Sequence, residues 1–312
     1  MNLEQLRGFL AVAHTGHFTK AAAELHVAQP TLSRQISALE EEFGSALFHR
    51  ARGNITLTAA GETLYPVAAR MLADAEHIRF QMQELAGLRR GRVRLGAPPS
   101  MCVSVVAEVV GRYHREYLGV HLYLRESGSH NLLNELIGGT LDLALIVASD
   151  HDPSSVESLD HTPLFVEELM VISADPAPFA DHGQELTLAQ LAEMPQIVFS
   201  ESYDLRAATM EAYRQHDLSP NIILEGAEMD AVLRFVERGL GVAVVPATVL
   251  LDRPGLQSRR LIEPSLTRTI AVAHRKDVSL SRAAAAMQHM IFTTATQLAD
   301  QSPAIRMLAT QV

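Results

Sequence analysis

The chain has 312 residues and a single cysteine, Cys102. That excludes an internal disulfide and fits a reducing compartment, so a cytoplasmic location is expected. No run of about 18 apolar residues is present, which excludes an ordinary membrane-spanning helix. The first residues, Met1-Asn2-Leu3-Glu4-Gln5-Leu6, are acidic and amphipathic rather than basic and then apolar, so no signal peptide is expected. There is no Gly-x-Ser-x-Gly elbow, no phosphate loop and no His-Glu-x-x-His pair. His14 and His17 stand three apart, but no third ligand accompanies them. Neither an enzyme nor a metal or other cofactor is therefore expected. Positive charge is also scarce: 26 Lys+Arg against 36 Asp+Glu give a net −10.

That charge is unevenly spread. Residues 1–94 hold 11 basic and 9 acidic side chains, a net +2, and the remainder holds 15 and 27, a net −12. Segments of opposite sign point to separate jobs. A net +2 is weak for a nucleic-acid binder, so DNA affinity would have to come from local arginines presented more than once by an oligomer.

The first sixty residues supply such a device. Leu3, Leu6, Leu10 and Ala13 form one face of a helix ended by Gly16. Thr19 is the expected N-cap of a second helix, in which Ala21, Ala22 and Ala23 allow close approach of another backbone. His26-Val27-Ala28 makes a turn, and Pro30 opens a third helix. Along it Leu32, Ile36, Leu39 and Phe43 cluster within about 60° of a helical wheel. Arg34 lies opposite, flanked by Pro30, Thr31, Ser37 and Ala38. Short side chains around one long cation suit a helix entering the major groove, where arginine bonds guanine O6 and N7. Gly44 stops the helix, and residues 47–57 read as two short strands about a Gly53-Asn54 turn, a wing bearing Arg50 and Arg52. The motif spans residues 18–37 within a domain of residues 1–60.

Thr58 is an N-cap candidate for a helix running to about Leu88. Leu64, Ala68, Met71, Ala75, Ile78, Met82 and Leu85 alternate at spacings of four and three, a heptad seam that predicts dimerisation. Pro66 falls inside and is expected to kink or loosen the first turns. Arg89-Arg90-Gly91-Arg92 reads as a hinge. From residue 91 to about 300, strand and helix patterns alternate in βαβαβ order, which implies a parallel sheet covered by helices. Two such sets suggest two lobes, 91–161 with 268–300 and 162–267, followed by a tail at 301–312. A cleft between lobes is a natural site for a small ligand.

These segments resemble the LysR-type transcriptional regulators. The resemblance is carried by Gly16-His17-Phe18-Thr19-Lys20-Ala21-Ala22, Gln29-Pro30-Thr31-Leu32-Ser33-Arg34-Gln35-Ile36, Leu39-Glu40-Glu41-Glu42-Phe43-Gly44, Leu47-Phe48-His49-Arg50, Leu57-Thr58-Ala59-Ala60-Gly61-Glu62 and Gly239-Leu240-Gly241-Val242-Ala243-Val244-Val245-Pro246. It covers nearly the whole chain, although Ala51 and Gly53 stand where wings of this family are often more basic or polar. The resemblance implies an α+β multidomain protein: an N-terminal winged helix-turn-helix, a long linker helix and a C-terminal two-lobed α/β effector domain like periplasmic binding proteins. It implies a homotetramer built as a dimer of dimers. It assigns Gln29, Pro30, Thr31, Ser33 and Arg34, with Arg50 and Arg52, to double-stranded promoter DNA, and places RNA polymerase among the partners.

For the effector, Ser100 and Met101 open a helix after the first strand, and Ser127 and Ser129 repeat the arrangement after the second. Helix starts favour anions, so the expected effector is a small carboxylate or zwitterion. Ser200 and Ser202 would close from the opposite lobe. Two other readings remain open at this point: a constitutive architectural DNA-binding protein, and an enzyme or transport protein using the cleft.

Overall fold

The computed structural model describes residues 1–51, 54–85, 91–148, 158–180, 183–201 and 203–308, with the backbone alone for 50, 51, 54 and 83–85. The chain divides into two packing units near residue 88.

In the first unit, helix α1 (Leu3–Thr15) opens with a capping box: Asn2 accepts from the Gln5 N–H while the Gln5 side chain accepts from the Asn2 N–H. Gly16 ends it in the left-handed conformation, φ 66°, donating to the Val12 carbonyl. The buried stripe is Leu6, Phe9 and Val12, with Leu10 and Ala13 only partly covered. It is turned from the expected face because Gly8 faces the third helix, where a Cβ would stand 2.7 Å from Leu32 Cδ1. Helix α2 (Phe18–Glu24) starts one residue before Thr19. Its N-cap is His17, so Thr19 is not the cap. Helix α3 (Gln29–Phe43) buries Leu32, Ile36 and Leu39 as expected, whereas Phe43 is 43% exposed. Pro30 is its second residue rather than its first, still within the turn where a missing N–H costs nothing.

Strands β1 (Phe48–Ala51) and β2 (Asn54–Leu57) pair antiparallel, with Ala51 opposite Asn54. Asn54 therefore belongs to a strand rather than to the expected turn, and the link at 52 and 53 lies outside the described residues. Helix α4 (Ala59–Leu85) starts after Thr58, whose hydroxyl accepts from the Gly61 N–H at 3.1 Å. It continues through Pro66.

The second unit starts with β3 (Gly91–Ala97). A short helix α5 (Pro99–Met101) continues through a π-helical turn, Cys102–Val106, into α6 (Ala107–Glu116). Then follow β4 (Val120–Glu126), α7 (Ser129–Ile137), β5 (Leu143–Ala148) and β6 (Leu159–Ser173). Strands β3–β4 and β3–β5 are parallel, as the βαβαβ order requires. The apolar run of β5 is explained by its place between β3 and a late strand, β12 (Thr267–Arg275).

The second lobe contains β7 (Glu185–Thr187), α8 (Leu188–Glu193), β8 (Gln196–Phe199), α9 (Asp204–Gln215), β9 (Ile222–Ala227), α10 (Met229–Glu237), β10 (Ala243–Pro246) and β11 (Gln257–Ile262). Helix α11 (Arg282–Ala299) and strand β13 (Ile305–Met307) close the chain. Each lobe has its own core: one centred on Val93, Leu143, Phe165 and Met287, the other on Val171, Leu191, Tyr213 and Val232.

Strand β6 serves both lobes. Residues 159–168 pair with β12, and residues 169–173 with β10 and β11. The crossing thus falls near Glu168, about six residues after the expected 162, because β6 is one long strand rather than two elements. The stretch from 301 is not a simple tail: Ile305–Met307 pair with Phe165–Glu167 and Ile305 is buried.

Candidate functional site

Two surfaces bear on function, one in each unit. On the first unit, Gln29, Pro30, Thr31 and Arg34 are exposed and Ser33 is half-buried, all on the first turns of α3. The opposite face, Leu32-Ile36-Leu39, is fully buried and fixes how the helix is held. Arg34 makes no ion pair among the described residues, so its guanidinium is available to a groove. Arg50 lies in β1 opposite Ile55, its side chain outside the described residues, and Arg52 lies outside them altogether. Of the heptad seam, Ala68 is buried and Leu64 packs on the winged domain's own core, while Met71, Ile78 and Met82 remain exposed, the last two above 50%. The Leu85 side chain is outside the described residues.

In the second unit a cavity of about 230 Å³ opens between the lobes. Its lining includes Pro98, Ser100, Glu126, Ser127, Asn131, Tyr203, Asp204, Glu228 and Arg268. Of the expected contacts, Ser100 and Ser127 reach it. Met101 does not: its side chain is fully buried in the first lobe's core, and its N–H donates to the Pro98 carbonyl. Ser129 is buried, and its hydroxyl is committed across the lobes, donating to Asp204 Oδ2 at 2.7 Å while accepting from the Val147 N–H at 3.0 Å. Ser200 contacts Glu228 Oε1 at 3.4 Å rather than lining the cavity. Ser202 lies outside the described residues.

The deciding side chains of this cleft were not among the expected ones. Arg268, on β12, donates to Ser100 Oγ at 2.9 Å and to Glu167 Oε1 at 2.7 Å. Glu167 is wholly buried, and its other oxygen accepts from the N–H and hydroxyl of Thr248 at 3.0 and 2.7 Å. This ion pair joins the two strands that run between the lobes and anchors Ser100 to them. Its sequence signal was slight, one Glu and one Arg about a hundred residues apart, and only strand pairing brings them face to face.

Around the cavity, Tyr203 stacks on Phe199 with centroids 5.1 Å apart. Burial, then a hydrogen bond to Glu228, pushes its hydroxyl well above the ordinary tyrosine range. Cys102 sits behind Glu126. Burial first, then the nearby carboxylate, pushes its thiol up to about 12, so it is a neutral thiol at ordinary pH.

Residues 3–62 match the bacterial regulatory helix-turn-helix proteins of the lysR family, and residues 86–295 match the LysR substrate binding domain. This chain is a LysR-type transcriptional regulator. It is 33% identical over 273 residues, 86% of this chain and 87% of the relative, to a probable nitrogen assimilation transcriptional activator of Synechococcus elongatus. It is 31% identical over 280 residues, 88% of each, to a probable hydrogen peroxide-inducible genes activator of Streptomyces viridosporus. A full-length OxyR from Pseudomonas aeruginosa shares the fold with a TM-score of 0.70 and 24% identity, over 100% of this chain and 99% of that one. As a LysR-type regulator the protein has an N-terminal DNA-binding domain and a C-terminal effector-binding domain, and its family consists of regulators rather than enzymes.

Proposed function

We propose that this LysR-type regulator reads promoter DNA with the start of α3 and answers to a small molecule held between the lobes of its second unit. Gln29, Pro30, Thr31, Ser33 and Arg34, with Arg50 and Arg52 of the wing, form the DNA-binding set. Ser100 and Ser127 belong to the effector site, joined by Glu126, Tyr203, Asp204, Glu228 and Arg268. The observation that carries this reading is the cavity itself: side chains of both lobes converge on it, beside the ion pair on the strands that join them.

Subunits pair, in this reading, through the exposed Met71, Ile78 and Met82 stripe of α4. A second pairing uses the apolar edges of β4 and β9, where Tyr123, Leu124, Ile222 and Ile223 are exposed. A tetramer follows if both contacts form. Residues 1–60 make the DNA-binding domain, 58–88 the linker, and the effector domain runs from 91 through at least Met307. The protein works in the cytoplasm, where promoter DNA is, and RNA polymerase is its partner there. The two relatives above are named for different signals, nitrogen assimilation and hydrogen peroxide, so neither signal carries over. A peroxide switch through a disulfide within the chain has no second cysteine here.

Effector binding would favour one lobe arrangement over another and so shift how paired domains sit on DNA. Footprinting on the protein's own upstream region tests this. The protected length is expected to change when the effector is added and to stay constant in an Asn131→Trp variant, which puts a bulky ring on the cavity wall. A footprint and transcript level indifferent to every metabolite tried would favour the constitutive reading instead.

A further inference from the structure

We infer that the effector of this cleft is a small organic cation, bearing ammonium or guanidinium groups, and not the carboxylate expected from the sequence. The inference rests on the reading of the inter-lobe cavity as the effector site. Three carboxylates line that cavity: Glu126 from the first lobe, and Asp204 and Glu228 from the second. None has an arginine or lysine partner among the described residues. Asp204 accepts from the neutral Ser129 hydroxyl, and Glu228 lies 3.4 Å from the neutral Ser200 hydroxyl. The one cation in the lining, Arg268, is already balanced by Glu167 behind it. Three negative charges therefore face the cavity with no net positive charge to meet them.

The start of α5 offers an anion few backbone donors. Pro98 and Pro99 contribute no N–H at the helix start, and the N–H groups of Met101 and Cys102 both donate to the Pro98 carbonyl. The oxygen of Ser100 accepts from Arg268, which leaves its single O–H proton to donate. A carboxylate would enter against the like charge of three carboxylates, with only the already balanced Arg268 to offset it. A single metal ion is not the answer either, since no group of three His, Cys, Asp or Glu among the described residues could hold one. The positive charge must instead be spread along a short body. A cavity of about 230 Å³ has room for roughly seven or eight water-sized groups. The Tyr203 ring in the lining adds a surface that attracts ammonium and guanidinium groups. Because the carboxylates come from both lobes, bringing the lobes together raises their repulsion until a cation lies between them. Binding and closure are then the same event.

A matched pair of probes tests the charge class: 1,4-diaminobutane and succinate, of equal carbon length and opposite charge. Each is titrated calorimetrically into the full-length protein at fixed ionic strength. The diamine is expected to bind and to raise the melting temperature. Its affinity is expected to fall at least tenfold in Glu126→Gln/Glu228→Gln and to stay unchanged in Glu185→Gln/Glu193→Gln, a control on the outer surface of the second lobe. Preference for succinate, no binding of the diamine, or equal loss in both double variants overturns the cationic assignment. The cleft reading fails separately, if whichever probe binds still does so in Asn131→Trp. Succinate binding abolished by Asn131→Trp would leave the cleft intact as the effector site and refute only its charge.

Discussion

At the scale of single residues, the buried Arg268–Glu167 pair and the exposed Arg34 do opposite kinds of work. Glu167 is fully covered and Arg268 nearly so. Removing one partner strands a buried charge, at a cost of about 3–5 kcal/mol. Arg268→Ala is therefore expected to lower the denaturant midpoint sharply, and Arg268→Met/Glu167→Met to recover much of it. Recovery of stability without recovery of the ligand response would assign the pair to signalling. Arg34 is solvated, so Arg34→Ala should leave stability unchanged. Its loss should weaken operator binding by about 1–3 kcal/mol while sparing non-specific DNA, as measured by fluorescence anisotropy on both duplexes. Cys102 and Tyr213 bear on alkaline stability. Burial raises both to about 12, from 9.0 and 10.0. Between pH 9 and 12 the unfolded chain therefore loses protons that the folded chain keeps, and stability falls as pH rises through that window. Cys102→Ala and Tyr213→Phe should flatten that fall, and a thiol reagent should label native Cys102 slowly at pH 8. Rapid labelling would contradict the partly buried, carboxylate-flanked thiol.

At the scale of elements, α3 and α4 show how far a periodic pattern can be trusted. The α3 stripe was legible because Leu32, Ile36 and Leu39 pack within their own domain. Phe43, one turn further, has run past the body it would pack on and is exposed. The seam of α4 splits in the same way: Leu64 and Ala68 are used by the winged domain, and Met71, Ile78 and Met82 are not. Exposed apolar residues at helical spacing call for a mate. Ile78→Asp/Met82→Asp is expected to lower the molecular mass seen by light scattering while the helical circular dichroism stays unchanged. The full length of β6 is hard to see in the sequence because its period-two pattern is interrupted at Pro163, where the pairing with β12 shifts register beside Ile270 and Ala271. Strand β13 is not legible in the sequence, because three residues carry no periodic signal.

At the scale of the whole molecule, charge connects the two jobs. The first 94 residues carry only +2, and the rest carries −12. One such domain has few cations to exchange for the counterions of a duplex. Tight operator binding should therefore require two domains at once, and Ile78→Asp/Met82→Asp is expected to cost 10²-fold or more in affinity, beyond any loss from Arg34 alone. The acidic remainder is not merely a solubilising surface, since three of its carboxylates are gathered at a cavity between the lobes.

The sequence by itself determined the order of elements, the exposed polar face at the start of α3 and the family, because those depend on local spacing: helical period, turn residues and a proline at a helix start. The tertiary structure decided the chemistry of the cleft. Glu126 ends β4, Asp204 opens α9, Glu228 caps α10 and Arg268 lies on β12; they share no spacing, and only the pairing of β6 with β12 and the apposition of two lobes sets them around one space. Serines at helix starts were visible in the chain, but what occupies their hydroxyls depended on partners 75 and 168 residues away.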